Sequence, residues 1–288
     1  MLTFSDVPSE NDVATPDRRT RKREARRDGL LDLAAELVEQ HGVDGLTMAA
    51  LADASDYATA SLYTYFPSRS ALLAALQQRA LAVLAQVATE AVTRWDEVLR
   101  APVGPAGPAG PALALEAPEA TRSLARLWAF ADLFLTAPDH HPREFVLQQQ
   151  LLVSPQAEDV NDALSVVPAA MAVLVVPQQL LADAAAIGAI RPGPAVSGPL
   201  DDPLPLELVR TLSWVTALNG ALMVDRLSTG LPTTGAHLGR EITASLLVGW
   251  GADPVLVTHA RRLAADHLAP VHLEPAPLAP PPPDGVHR

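Results

Sequence analysis

Between Leu46 and Leu76 the chain reads LTMAALADASDYATASLYTYFPSRSALLAAL, and its punctuation leaves few folds open. Thr47 is a good N-cap, so a short helix is expected over Met48–Ser55 with Met48, Leu51 and Ala52 turned inward. Asp56-Tyr57 breaks it. A second short helix is expected over about Ala58–Tyr65, with Leu62 and Phe66, four apart, on its inner face. Pro67 stops that helix, and Ser68 can cap a longer one running from Arg69 towards Arg100. Upstream, Leu30, Leu33, Ala34, Leu37 and Val38 form an apolar stripe at helical spacing, in a segment from about Thr20 to His41. Gly42 suits the left-handed position after it, and Val43-Asp44-Gly45 reads as a turn. Two short helices across a tight turn, behind a longer amphipathic one, make a helix-turn-helix signature.

The remainder also reads as helix. Apolar residues make up 49% of the 288, aromatics only 4%, and much of the apolar content is Ala and Leu, strong helix formers. Helices are expected at about 119–136, 142–152, 158–190, 205–228, 234–250 and 254–268, with Pro168 and Pro177 kinking the third. No strand pattern is evident. Pro/Gly-rich stretches at 101–118 and 191–203 read as a linker and a loop. Residues 1–17 and the Pro-rich tail 269–288 read as disordered. The fold class is therefore all-α: an N-terminal domain over 18–84 and a helical domain over 85–268. The absence of cysteine excludes disulfides and thiolate chemistry and fits a reducing cytoplasm. The N-terminus is polar and acidic, unlike a signal peptide. The most apolar stretch, Ala163–Pro177, is too short to span a bilayer, so no membrane partner is expected.

The net charge of −12 argues against a nucleic-acid partner on average, but the average hides an asymmetry. Seven of 21 basic residues fall within Arg18–Arg27 (RRTRKREARR), whereas residues 80–288 hold 12 bases and 21 acids. A basic arm on an acidic body is an electrostatic footprint for a polyanion. It precedes the helix-turn-helix, whose second short helix has Thr59, Ala60, Ser61, Tyr63 and Thr64 around its outer surface. Small hydrogen-bonding groups of that kind suit a major groove, where hydroxyls reach base edges or phosphates and Ala60 permits close approach.

Leu46–Leu76 closely resembles the DNA-binding region of TetR-type transcriptional regulators. The matching elements are Leu46-Thr47, Leu62-Tyr63, Tyr65-Phe66, Ser68-Arg69 and Ala71-Leu72-Leu73. With the preceding helix, the resemblance covers about Glu24–Leu84. It implies that Thr47, Tyr63 and Arg69 contact phosphate, that Thr59, Ala60 and Ser61 face bases or nearby phosphates, and that Thr64 and Tyr65 lie at the DNA surface. Arg21 and Arg23 of the basic arm join this set. Three positions depart from the family pattern. Asp56 stands where a turn glycine is usual, Tyr57 replaces a small buried aliphatic residue, and Thr59 stands where lysine or glutamine is common. The reading helix thus has no cation, and attraction must come from Arg18–Arg27, Arg69 and Arg79.

The resemblance also implies a C-terminal domain that dimerises and binds a small molecule. Larger side chains in an Ala-rich background are the pocket candidates: Trp128, Phe134, Phe145, Met171, Trp214 and Met223, with Gln148 and Asn219 as polar contacts. Leu208, Leu212 and Val215, and Leu238, Ile242 and Leu246, form stripes on two helices that could double into a four-helix dimer interface. The adjacent His140 and His141 lack a third ligand, so no metal or cofactor is expected. No nucleophile elbow, phosphate loop or metalloprotease motif occurs, so no catalytic residue is assigned. The expected function is a cytoplasmic, homodimeric, ligand-responsive repressor on a palindromic double-stranded operator, not an enzyme. An activator, a ligand-independent regulator, and an all-α enzyme or carrier with a DNA-binding head remain open.

Overall fold

A computed structural model describes residues 18–100, 117–153, 160–194, 196–197, 203–227 and 232–268. The expectations for the two tails and for most of the 101–118 linker fall outside them. The chain divides into two compact units, one ending at Leu76 and the other beginning at Gln77.

The first unit holds α1 (Arg18–Gly45), α2 (Met48–Ser55), α3 (Thr59–Leu62) and the start of α4 (Arg69–Arg100). The basic run is therefore helical from Arg18 onward. Gly42 breaks α1 with φ 71° and ψ 176°, as its sequence position predicts. The face that α1 buries differs from the one expected. Leu30, Leu31, Ala34, Ala35 and Val38 are buried, while Leu33 and Leu37 lie at its edge. Apolar residues crowd both faces here, and spacing alone does not choose between them. α1 packs against α2, and Leu46, Met48, Leu51, Ala52, Leu62, Phe66, Leu72 and Leu76 are buried as well. Thr47 caps α2 by accepting from the Ala50 amide at 3.0 Å. Ser68 caps α4 by accepting from Ala71 at 2.9 Å.

The second unit contains the rest of α4, then α5 (Glu119–His140), α6 (Pro142–Val153), α7 (Val160–Ala186), α8 (Leu206–Met223), α9 (Gly235–Gly249) and α10 (Pro254–His267). One expectation is corrected. Val196–Ser197 and Pro203–Leu204 form a minimal antiparallel pair where only a loop was foreseen. The pairing is two residues long, too short for an alternating pattern to register. α7 continues through Pro168 and Pro177 and stops before Ile190. At its end Gly188 takes φ 74°, and the amides of Gly188 and Ala189 return to the carbonyls of Ala185 and Ala184. This is a Schellman arrangement, which satisfies carbonyls that the helix end would orphan.

α5 is the hub of this unit and packs against α6, α7, α8, α9 and α10. Trp95, Trp128, Trp214, Leu124, Leu127 and Leu181 are among its fully buried side chains. Arg240 of α9 is tied to Asp132 of α5 at 2.6 Å. α4 and α7 are long and apolar enough to cross a membrane by length and composition. At 27 residues, α7 exceeds the short stretch identified from sequence. Its second half buries Leu180, Leu181, Ala184 and Ala185 in the core of this unit, as a helix of a packed domain does.

Candidate DNA-binding surface and effector cavity

The turn between α2 and α3 is built on Asp56, at φ 55° and ψ 26°, the one non-glycine with positive φ among the described residues. Its amide bonds back to the Ala52 carbonyl, and Tyr57 donates to the same oxygen at 3.2 Å. An aspartate thus performs the turn that glycine usually makes, because its short polar side chain tolerates the left-handed region better than most.

α3 is regular for only four residues, shorter than expected, and Ala58 gives it no side-chain cap. Its continuation tightens. Thr64 and Tyr65 donate to the carbonyls three residues back, Ser61 and Leu62, and Phe66 closes onto Leu62 at 2.9 Å. Leu62 and Phe66 anchor the segment in the core. Thr59, Ala60, Ser61, Tyr63 and Thr64 are exposed, as is Thr47. Tyr63 is 49% exposed. Tyr65 is half-buried, edge-on to Tyr57 with ring centroids 6.5 Å apart. Tyr57 therefore neither enters the core nor swings free, but leans on the other phenol.

Three arginines brace this head. Arg23 donates to the Thr64 carbonyl at 2.9 Å. Arg27 stacks over the Phe66 ring at 5.2 Å. Arg69 donates to the carbonyls of Leu46 at 2.6 Å and Val43 at 2.8 Å. Arg23 and Arg69 thus each bond backbone carbonyls within the unit. The spacing of charges along the sequence carries no sign of these bonds. Arg21 is exposed. The Thr64 hydroxyl is also engaged, donating to Ser61 at 2.7 Å, while the Thr47 oxygen accepts its cap bond and keeps its proton to donate.

Within the second unit a cavity lies among α4, α5, α6 and α7. It is lined by Leu84, Val87 and Ala88, by Phe130, Leu133, Phe134 and Ala137, by His141, Phe145 and Gln148, and by Val173. Phe134, Phe145 and Gln148 were expected there. The other pocket candidates lie elsewhere. Trp128 and Trp214 are core, their indoles donating to the Val257 carbonyl at 3.2 Å and the Thr243 hydroxyl at 3.0 Å. Asn219 accepts from Gln149 at 2.6 Å. Met171 and Met223 are 44% and 42% exposed. Periodicity identifies large apolar residues but does not separate a lining side chain from a core one. The other eight lining residues were missed: His141 drew notice only as half of a histidine pair, and the rest sit at ordinary apolar helix positions. Free space for water in the cavity is about 40 Å³, room for roughly three molecules.

Of the expected interface residues, Leu212 is 43% exposed. Leu208, Val215, Leu238, Ile242 and Leu246 are each half-buried.

Residues 30–76 match the family model described as bacterial regulatory proteins, tetR family. The chain carries a tetR-family DNA-binding domain. A helix-turn-helix is followed by a mainly helical unit, and similar solved structures share that fold. A protein of unknown function from Rhodococcus sp. RHA1 is 20% identical, with a TM-score of 0.53, covering 84% of this chain and 99% of its own. RolR in complex with resorcinol is 18% identical, with a TM-score of 0.51, over 88% and 100%. SmeT, the repressor of the Stenotrophomonas maltophilia multidrug efflux pump SmeDEF, is 17% identical, with a TM-score of 0.51, over 81% and 94%. Among curated proteins no sequence matches the chain.

Proposed function

We propose that this tetR-family regulator is a cytoplasmic homodimeric repressor that binds a palindromic operator and releases it when a small molecule enters the second unit. The observation that carries the reading is the exposed row Thr47, Thr59, Ala60, Ser61 and Tyr63, beside a helix end with seven cations. A helix start, hydroxyls and guanidinium groups position phosphates, and small side chains let the short helix approach base edges. Two such heads spaced by about 34–36 Å would meet successive major grooves. The half-buried rows on α8 and α9 are the surface we assign to the second copy.

The effector we infer is small and mostly apolar, with one polar group for Gln148 or His141. RolR was solved with resorcinol, a single ring that carries two hydroxyls. With about 40 Å³ free, no ring enters unless α4, α5, α6 and α7 spread. A ligand that prefers the spread form would shift the protein towards it; affinity shared equally between forms would shift nothing. The test begins with selection of bound sequences from random DNA by the full-length protein. A palindrome should emerge, light scattering should give a dimer, and small phenols should be screened for operator release. Recovery of no preferred sequence would overturn the operator reading, and a monomer at micromolar concentration would overturn the interface.

A further inference from the structure

α3 is too short to hold itself together. A four-residue helix has no complete set of internal bonds, and nucleation is unfavourable at that length. It has no side-chain cap at its start, and the carbonyls of its last turn need donors from outside. In the turn that continues it, the Thr64 carbonyl receives Nη2 of Arg23 at 2.9 Å, from a residue 41 positions earlier. Arg27, one turn along α1, lies over the ring of Phe66, the buried anchor that ends the segment. The Thr64 hydroxyl points its proton back to Ser61, so it offers the segment no donor to a neighbouring element. The bond from Arg23 therefore links the end of the reading segment directly to α1.

We propose that Arg23 is a positioning residue for the reading helix and not merely one of the arm's phosphate-neutralising charges. It holds the Thr64 end of the segment, so the angle at which Thr59, Ala60, Ser61 and Tyr63 are presented depends on it. Its guanidinium has five donors, and one is committed to Thr64, so it also brings a cation to a helix that has none. Arg21, exposed on the same turn of α1, contributes charge alone. This inference rests on the DNA-binding reading above.

The two roles separate in one experiment on the full-length protein. Affinities for the selected operator and for random-sequence duplex are measured at several salt concentrations for the parent, Arg23→Ala, Arg23→Lys and Arg21→Ala. Hydrogen exchange of the Tyr65 and Phe66 amides is measured in the DNA-free proteins. Arg21→Ala should weaken both DNAs in equal proportion and leave exchange unchanged. Arg23→Ala should weaken the operator on the order of tenfold more than random duplex and speed exchange at Tyr65 and Phe66. Arg23→Lys, which keeps the charge and one donor, should restore the salt slope and part of the operator preference. If Arg23→Ala matches Arg21→Ala on both DNAs and leaves exchange unchanged, the positioning role is wrong. If Arg23→Ala unfolds the head, Arg23→Lys decides by the same ratio and exchange readings. If the parent selects no DNA, the DNA-binding reading fails, while the exchange measurement still tests the clamp.

Discussion

Arg69 Nε donates to the carbonyl of Leu46 at 2.6 Å, so the first residue of α4 closes the turn that enters α2. Its Nη2 reaches Val43 in the same turn at 2.8 Å. Arg69→Ala would leave two turn carbonyls without these charged donors. The expected loss is about 2 kcal/mol of stability in the first unit, because bonds to charged groups are stronger than neutral ones. Arg69→Lys should recover part of it, since an ammonium cannot reproduce the fork that serves both oxygens. The chain supplies its own probes. All three tyrosines lie in the first unit and all four tryptophans in the second. Urea unfolding followed by tyrosine absorbance should shift in Arg69→Ala, with the tryptophan fluorescence transition unchanged. Coincident shifts in both signals would contradict a local role.

Asp56 gives a prediction of opposite sign. Its backbone sits at φ 55°, where a Cβ is disfavoured and glycine is not. Asp56→Gly should stabilise the first unit by about 0.5 kcal/mol, and Asp56→Val should destabilise it by more than about 1 kcal/mol. The tyrosine-detected transition reads both. A loss of stability in Asp56→Gly would mean that the carboxylate makes a contact worth more than the strain it relieves.

Tyr63, half exposed on the outer surface of the reading segment, should matter to DNA and not to folding. Tyr63→Phe is expected to weaken operator binding by about 1 kcal/mol with an unchanged unfolding midpoint. Equal affinity of the two proteins in a fluorescence anisotropy titration would remove Tyr63 from the phosphate contacts.

The sequence was legible where a residue's effect is local. Thr47, Ser68, Gly42, Asp56 and Pro67 act on their own backbone, and caps, turns and stops fall where their chemistry puts them. Leu62 and Phe66 were legible because only one face of so short a segment can be buried. What spacing could not reveal was the destination of long side chains. Arg23 and Arg69 read as charges aimed outward, yet each reaches a carbonyl 26 or more residues away in at least one bond. Asn219 reads as a polar pocket contact and instead pairs with Gln149. The cavity was only partly foreseen, because it is defined by four helices meeting, and α4 and α7 contribute residues that look like ordinary helix core.

Two glycines on the α8–α9 hairpin should respond in opposite ways. A Cβ on Gly235 would come within 2.5 Å of the Ala221 carbonyl and 3.0 Å of Leu222 Cα, backbone atoms that cannot yield cheaply. The Gly235 amide also donates to Asp225 at 2.7 Å. Gly235→Ala is expected to cost about 2 kcal/mol or more in the tryptophan-detected transition. Gly220 lies inside α8, and none of the described residues comes within 4 Å of the added carbon. In an isolated protomer, Gly220→Ala should therefore stabilise the helix by about 1 kcal/mol. If the contact with the second copy extends from the Leu208, Leu212 and Val215 row round α8 to Gly220, the same change should weaken the dimer, seen as a larger dissociation constant in sedimentation. A gain in stability that does not depend on protein concentration would place Gly220 outside the interface.

Arg210 presents the opposite situation to the bracing arginines. It is 7% exposed, lies over the Trp250 ring at 5.5 Å, and among the described residues its Nε and Nη1 find no hydrogen-bond partner. Burial lowers its pKa; Glu207 works against that shift, and Arg191 adds to it. A cation whose pKa falls on folding binds its proton less tightly in the native state, so its charge opposes folding. That penalty is complete below the folded value and fades only as pH rises from there towards the unfolded value. Both are arginine values, so stability between about pH 6 and 8 should show no step from this group, in keeping with a guanidinium's permanent charge. Substitution is the informative change. Arg210→Met keeps the apolar stem and removes the charge, and should stabilise the second unit by about 1 kcal/mol, as replacing a poorly compensated buried ion often does. Arg210→Lys keeps the charge and should give no gain. A lower tryptophan-detected midpoint for Arg210→Met would mean that stacking on Trp250 outweighs the desolvation of the guanidinium.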